Sequence, residues 1–219
     1  MIPALLIFDM DGVLVDSEPL AHRIMHRHLA AADVPLDLAA ATRRYIGRKM
    51  GFVVADVRTH FGIELPADFE RRCREDTLAA YETELRPVAG IRAAIEALPV
   101  ARCLASSSDP ARIARSLEIA GIDDLLAPAA RFSSTMVANG KPAPDLFLFA
   151  AARMGADPAA CVVIEDTPVG LQAARAAGMT ALGYAGAGHT PEAELRALAT
   201  HVFARMADLP ALVQSLASR

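Results

Sequence analysis

The stretch Ala4-Leu5-Leu6-Ile7-Phe8-Asp9-Met10-Asp11-Gly12 decides the fold. Five consecutive apolar residues bounded by Asp and Gly read as a strand buried on both faces, the kind found in parallel sheets. Two carboxylates one residue apart then fall where the strand must end, and in open α/β sheets ligands bind at the carboxyl ends of the strands. Taken alone, the segment fits equally well a strand followed by an ordinary Asp-Gly turn. Segments far along the chain decide against that simpler reading.

From residue 87 onward, short apolar runs alternate with helical patterns. Strands are expected at 102–105, 161–164 and 179–183, with weaker candidates at 126–132 and 201–203. Helices are expected at 90–98, 110–120, 144–154, 167–177, 191–199 and 208–217. Such alternation implies a parallel sheet covered by helices on both faces. Between the first strand and this region only helical patterning is found, at 18–32, 37–45, 49–61 and 66–85. The expected architecture is therefore α/β: a parallel-sheet core formed by 1–16 and 87–219, with an all-helical domain, 17–86, inserted after the first strand. Standing over the strand ends, the insert would act as a lid hinged near Asp16-Ser17 and Arg86-Pro87, closing to exclude water.

The chain has 219 residues, enough for one sizeable core with a smaller insert. A hydrophobic content of 53% with 22% charged residues is a soluble globular composition, and no apolar run is long enough to span a bilayer. The formal charge of -4 and pI near 5.9 give no electrostatic reason to expect nucleic acid as a partner. The amino terminus carries no basic stretch before its apolar run and two Asp follow at once, unlike a secretory signal, so a cytoplasmic location is expected. A monomer is expected as well. Cys73, Cys103 and Cys161 form no CxxC pair and read as structural. His22, His26 and His28 alternate with Arg23 and Arg27 and read as a solvated helix face rather than a zinc site. The loop Gly183-Tyr184-Ala185-Gly186-Ala187-Gly188 lacks the GxGxxG spacing and reads as a loop, not a nucleotide site.

Lys49 and Lys141 are the only lysines among 22 basic residues. Where arginine dominates, a surviving lysine marks a place that needs a compact ammonium. Lys141 lies in Gly140-Lys141-Pro142-Ala143-Pro144-Asp145, where two prolines stiffen the backbone and aim the side chain. Two other segments open from a strand onto a helix. In Leu104-Ala105-Ser106-Ser107-Ser108-Asp109-Pro110, hydroxyls and free amides at a helix start form a natural phosphate cradle, with Ser106 and Ser107 as its candidates, although plain N-capping by Ser108 or Asp109 explains the segment too. In Val162-Val163-Ile164-Glu165-Asp166-Thr167-Pro168, a buried strand ends in two adjacent acids, and helix capping accounts for only one of them.

Strand ends thus gather Asp9, Asp11, Glu165 and Asp166 in one crevice with Ser106 and Lys141. Four acids so placed repel one another unless a cation sits among them, and oxygen-only ligands point to a hard divalent ion, magnesium. Magnesium, a lysine and a serine cradle suit a phosphoryl group. Asp9 is then placed to attack phosphorus and form an aspartyl phosphate. Asp11 is placed to protonate the leaving oxygen and later to take a proton from water. That second role needs a protonated Asp11 when substrate arrives, which negative neighbours would favour.

These four segments, in order, resemble the haloacid dehalogenase superfamily of phosphotransferases. Asp9-Met10-Asp11-Gly12-Val13-Leu14-Val15-Asp16-Ser17-Glu18-Pro19 is similar to its first motif, Ser106 to its second, Lys141 in GKPAPD to its third, and Glu165-Asp166 to its fourth. The resemblance spans essentially the whole chain. It implies a Rossmann-like core with a helical cap, and magnesium held by Asp9, the main-chain carbonyl of Asp11, and Asp166, with Glu165 assisting. Within the superfamily the chain is similar to the branch of beta-phosphoglucomutase and small-metabolite phosphatases, and Asp11 argues against dehalogenation. Similar mutases carry a cap histidine at the position of Ala21, whereas here it is His22, about a hundred degrees round the helix. The expected activity is therefore a magnesium-dependent phosphatase of a small phosphorylated metabolite, a sugar phosphate or phosphosugar acid. A phosphosugar mutase is the alternative, and a catalytically idle phosphate-binding protein is the alternative of another class. Gly47-Arg48-Lys49-Met50 occupies the usual position of the family's specificity loop, so Arg48 and Lys49 are candidates to bind a second anionic group of the substrate.

Overall fold

A computed structural model describes residues 3–46, 48 and 50–216. Six parallel strands form one sheet in the order β3-β2-β1-β4-β5-β6: β1 (Leu5–Phe8), β2 (Ala101–Ser106), β3 (Arg131–Ser133), β4 (Cys161–Glu165), β5 (Thr180–Tyr184) and β6 (His201–Phe203). This is the Rossmann-like α/β arrangement. Every residue of β1 and β4 is buried, as a strand covered on both faces requires. β1 lies between β2 and β4, with Ile7 opposite Cys103 on one side and Val163 on the other. The strand order reverses between β1 and β4, which makes their carboxyl ends the topological switch point where such sheets bind ligands.

The chain divides into two compact units, 1–16 with 86–219, and 17–85. The first holds the sheet and helices α5 (Ile91–Glu96), α6 (Pro110–Ile119), α7 (Asp145–Arg153), α8 (Pro168–Ala176), α9 (Glu192–Leu198) and α10 (Leu209–Leu216). Its core joins Leu5, Ile7, Cys103, Val163 and Ala181 of the strands to Phe147, Ala150 and Leu171 of the helices. Tight helix-to-sheet contact here uses the chain's abundant alanine. The second unit contains α1 (Glu18–Ala31), α2 (Leu38–Tyr45), α3 (Met50–Asp56) and α4 (Phe69–Glu84) around its own core of Met25, Leu29, Tyr45, Val53, Val57, Phe69 and Cys73. No described helix is long and apolar enough to cross a membrane.

Three local expectations are corrected. The helix expected at 49–61 changes character: α3 ends at Asp56 and a π-helical turn, Val57–Phe61, follows it to Gly62, whose N–H bonds the Arg58 carbonyl. The strand expected at 126–132 shrinks to 131–133, because Pro128 starts a 3-10 turn over Pro128–Ala130 and has no N–H to offer a ladder. The histidines of α1 are not a solvated face. His28 reaches Asp76 at 2.9 Å and His26 lies 3.1 Å from the Leu36 carbonyl, both partly buried within the helical unit. All three cysteines are free and buried, and burial pushes the Cys73 thiol up to about 12 and Cys161 to about 11.

Candidate active site

Lys141 joins two strand ends. Its Nζ donates to Asp9 Oδ1 at 2.6 Å and to Glu165 Oε1 at 2.9 Å, and lies 4.9 Å from the centre of the Phe147 ring. Only 5% of the lysine side chain is exposed, with 11% of Asp9 and 1% of Glu165. β1 and β4 set this spacing: Phe8 stands opposite Ile164, and the Asp9 N–H donates to the Ile164 carbonyl. Burial works against the lysine's charge, but the Asp9 and Glu165 carboxylates outweigh it and raise the Lys141 pKa. Burial likewise pushes the Asp9 carboxyl up, to about 7, against the opposing pull of Lys141. A further cation beside Asp9 would favour its ionised, nucleophilic form.

Glu165 is held at both oxygens. Oε1 accepts from Lys141, while Oε2 accepts from the Thr167 N–H at 2.7 Å and from the Thr167 hydroxyl at 2.8 Å. The same hydroxyl caps α8 by accepting from the Gly170 N–H. Asp166, 1% exposed, has Oδ2 3.1 Å from His189 Nε2. Gly12, with a φ of +77°, packs its backbone on this carboxylate; a Cβ there would come within 1.8 Å of Asp166 Oδ2. Glycine is therefore required at position 12 by both backbone angle and space.

Asp9, Glu165 and Asp166 each place an oxygen within 4.8 Å of the other two. Three buried carboxylates offering only oxygen fit a hard divalent cation. The fourth expected acid stands apart: the Asp11 side chain is not in this cluster. Its Oδ1 accepts from Arg112 Nη2 at 2.8 Å, and Ser108 Oγ lies 3.4 Å from Oδ2. Asp11 still acts on the Asp9 carboxyl as a like charge, and α6 adds what the sequence did not suggest, Arg112 on the Asp11 carboxylate.

Ser106 ends β2 and is 1% exposed; its Oγ accepts from the Ser108 N–H at 3.1 Å, which leaves the hydroxyl proton free for another acceptor. Ser107 is exposed, and its carbonyl accepts from Ser134 Oγ at 2.9 Å. With Ser133 Oγ donating to the Ser108 carbonyl at 2.7 Å, the end of β3 fixes the shape of the serine loop. In the helical unit, the Arg48 guanidinium lies 5.0 Å over the Phe52 ring, and Lys49 falls outside the described residues.

Three residues near these acids escape a reading of the sequence: Arg112, Phe147 and His189. Thr167 was legible as a cap of the following helix, which it is, while its two bonds to Glu165 were not. Arg112 is one arginine among many, and Phe147 reads as core. His189 closes a loop whose glycines gave no nucleotide spacing, so nothing local marked its side chain.

A parallel α/β sheet with buried acids and one ammonium at its switch point defines a class of enzymes that work on anionic groups. The particular family is settled by comparison: the pattern of the haloacid dehalogenase-like hydrolases matches residues 3–178, and the chain belongs to that family. It is 32% identical over 186 residues to the fructose-1-phosphate phosphatase YqaB of Escherichia coli (strain K12), covering 81% of this chain and 94% of that one. It is also 32% identical over 189 residues to the beta-phosphoglucomutase of Bacillus subtilis (strain 168), covering 81% of each. A HAD family hydrolase from Deinococcus radiodurans R1, solved with bound phosphate and sodium, superimposes with a TM-score of 0.86 at 30% identity, over 98% of this chain and 96% of that one.

Proposed function

We propose that this protein is a magnesium-dependent phosphatase that hydrolyses a small phosphorylated metabolite, a sugar phosphate or phosphosugar acid, in the cytoplasm, through a phosphoryl group carried on Asp9. The observation that carries this reading is the Lys141 bridge between Asp9 and Glu165 beside Asp166, since it gathers a nucleophile, an ammonium and a hard-cation donor set at one strand edge. Asp9, Asp166 and the main-chain carbonyl of Asp11 would hold magnesium, with Glu165 assisting. When bound, the ion would neutralise charge on the phosphoryl oxygens and on the acids.

The chain's own residues supply the remaining chemistry. The Asp9 carboxylate attacks phosphorus, the bond from phosphorus to the leaving oxygen breaks, and Asp11 delivers its proton to that oxygen. Water then attacks the same phosphorus, Asp11 takes a proton from it, and inorganic phosphate leaves as the Asp9 carboxylate is restored. For the first step Asp11 must leave Arg112 and arrive protonated. Lys141 offsets charge shared by Asp9 and the phosphoryl group, and Ser106 and Ser107 donate to its oxygens. Arg48 and Lys49 select a substrate with a second anionic group.

The equal identity to a mutase supports a second reading, in which the phosphoryl group returns to another hydroxyl of the sugar. Against it stands His22, placed beside Glu18 at 3.6 Å, one position beyond Ala21, the site of the histidine in similar mutases. The deciding experiment measures phosphate release from phosphorylated sugars, sugar acids, glycolate and nucleotides, with and without magnesium, for wild type and Asp9→Asn. Magnesium-dependent release that disappears in the variant is the expected result. Interconversion of glucose phosphate isomers with little free phosphate would support the mutase, and silence in both assays would support a phosphate-binding protein.

A further inference from the structure

Arg112 is a cation in the first turn of α6, where the helix macrodipole favours negative charge. That turn, Pro110-Ala111-Arg112, holds no acid of its own. The helix start is fixed: Asp109 caps it by accepting from the Arg112 N–H at 2.9 Å, and Pro110 follows the cap. From this base Arg112 Nη2 donates to Asp11 Oδ1 at 2.8 Å, and Ser108 Oγ donates to Oδ2 at 3.4 Å. The backbone around Asp11 is fixed as well. The Met10 carbonyl accepts from the Leu14 N–H at 2.9 Å and the Val15 N–H at 3.0 Å, and the Gly12 N–H donates to the Val15 carbonyl at 2.9 Å. Between two fixed backbones the Asp11 side chain is the part that can turn. Solvent reaches the pair, with 32% of the arginine side chain and 26% of the aspartate exposed.

We propose that Arg112 is a specificity-determining residue: its guanidinium passes from Asp11 to an anionic group on the leaving half of the substrate, and this exchange releases Asp11. On the phosphatase reading, which this inference rests on, Asp11 serves the leaving oxygen. To reach that oxygen its carboxyl gives up the bond from Nη2, so each turnover takes an acceptor from a guanidinium about two-thirds covered by protein. Removing one partner of a partly desolvated ion pair is costly unless another takes its place. A side chain as short as that of aspartate reaches both Arg112 and the leaving oxygen, so the guanidinium stands on the leaving side of the substrate. A carboxylate or second phosphate there replaces the lost carboxylate with like charge and accepts two parallel N–H bonds from the planar fork. A neutral hydroxyl restores a hydrogen bond and leaves the charge unmatched. As a surface ion pair alone, this contact would be worth little. Its partner is the proton carrier, so the contact that detains Asp11 in the free protein yields most readily to a substrate able to replace it.

The test measures kcat/KM for wild type, Arg112→Met and Arg112→Gln on two matched pairs, phosphoglycolate with hydroxyethyl phosphate and 6-phosphogluconate with glucitol 6-phosphate. Within each pair a carboxylate stands in place of a hydroxymethyl group. Wild type is expected to favour the acid in at least one pair, and both variants to lose about 10- to 100-fold of that preference, the worth of hydrogen bonds to a charged group. If Arg112→Met fails to fold, Arg112→Gln carries the comparison. The readout is the ratio within a pair, which a merely structural role would not move. Equal losses on both members of the pair overturn the inference and leave the phosphatase reading standing. A preference that survives in the variants does the same and assigns it to other residues, Arg48 and Lys49 among them. Wild type that hydrolyses both members of each pair equally well also overturns it. A wild type that releases phosphate from no substrate overturns both readings.

Discussion

The Lys141 ammonium stands 2.6 Å from Asp9 Oδ1, almost wholly removed from solvent. Glu165 on its second side and the Phe147 ring leave space for a compact head only. A guanidinium is planar and wider, so it cannot take both carboxylates at these distances without moving β1 from β4. Lys141→Arg is therefore expected to behave like Lys141→Ala, with kcat lower by about 100- to 1,000-fold in the phosphate-release assay. An arginine variant that retains most of the activity would mean that bulk charge, not a fitted ammonium, is what the site uses.

Thr167 serves a helix and an acid with one hydroxyl, donating to Glu165 Oε2 and accepting from the Gly170 N–H. Thr167→Ala removes both contacts and is expected to cost about 1 kcal/mol in denaturant unfolding, as lost N-caps do. Thr167→Ser keeps the hydroxyl and should retain most of that stability. Equal losses in the two variants would assign the effect to the threonine methyl group instead.

Gly12→Ala would set a Cβ against Asp166 Oδ2 at a residue whose φ is +77°. The left-handed backbone costs an alanine roughly 1–2 kcal/mol. Displacement of Asp166 adds a second effect, because misplacing a catalytic group by about 1 Å can lower the rate about 100-fold. Folding and activity should therefore fall together, and activity by the larger factor. A variant of normal activity would show that the position of Asp166 is not critical.

The sheet was legible because burial on both faces leaves an unbroken apolar run, as in Leu5–Phe8 and Cys161–Glu165, and each such run ends in acids. Register brings those ends together: once Phe8 is opposite Ile164, Asp9 and Glu165 must be neighbours, and a stiff loop can aim Lys141 between them. Partners supplied by helix faces and loops were not legible. Arg112 reaches Asp11 over 101 positions in sequence, and His189 reaches Asp166 from a loop that pattern alone leaves featureless. The same gap hid the cation that α6 adds at Asp11 beside its acidic neighbour Asp9. Short elements were misjudged where one residue overrode the pattern, as Pro128 does before β3.

Arg48 lies over the exposed Phe52 ring, which holds the guanidinium without neutralising it. If Arg48 and Lys49 read a second anionic group, Arg48→Ala and Lys49→Ala should raise KM for a phosphorylated sugar acid about tenfold or more, the worth of a hydrogen bond to a charged group. KM for a small aryl phosphate, which has no such group, should change far less. Equal changes for both substrates would remove these residues from substrate selection.

Within the helical unit, Asp56 accepts from Arg44 Nε at 2.6 Å and Nη2 at 2.9 Å, and from the Tyr45 hydroxyl at 3.0 Å. The Arg44 hydrogen bonds lead in holding the Asp56 carboxyl below its ordinary value of 3.8, while burial and then Asp56 push the Tyr45 hydroxyl up to about 12. A carboxyl with a lowered folded pKa stabilises the fold fully above its unfolded value, and the contribution is lost as pH falls through the folded one. The unfolding free-energy difference between wild type and Asp56→Asn should therefore be full and constant near neutrality and shrink as the pH falls below about 4. A difference that stays the same down to the acid limit would show that the pair acts through shape and hydrogen bonding alone, with no part for the carboxylate charge.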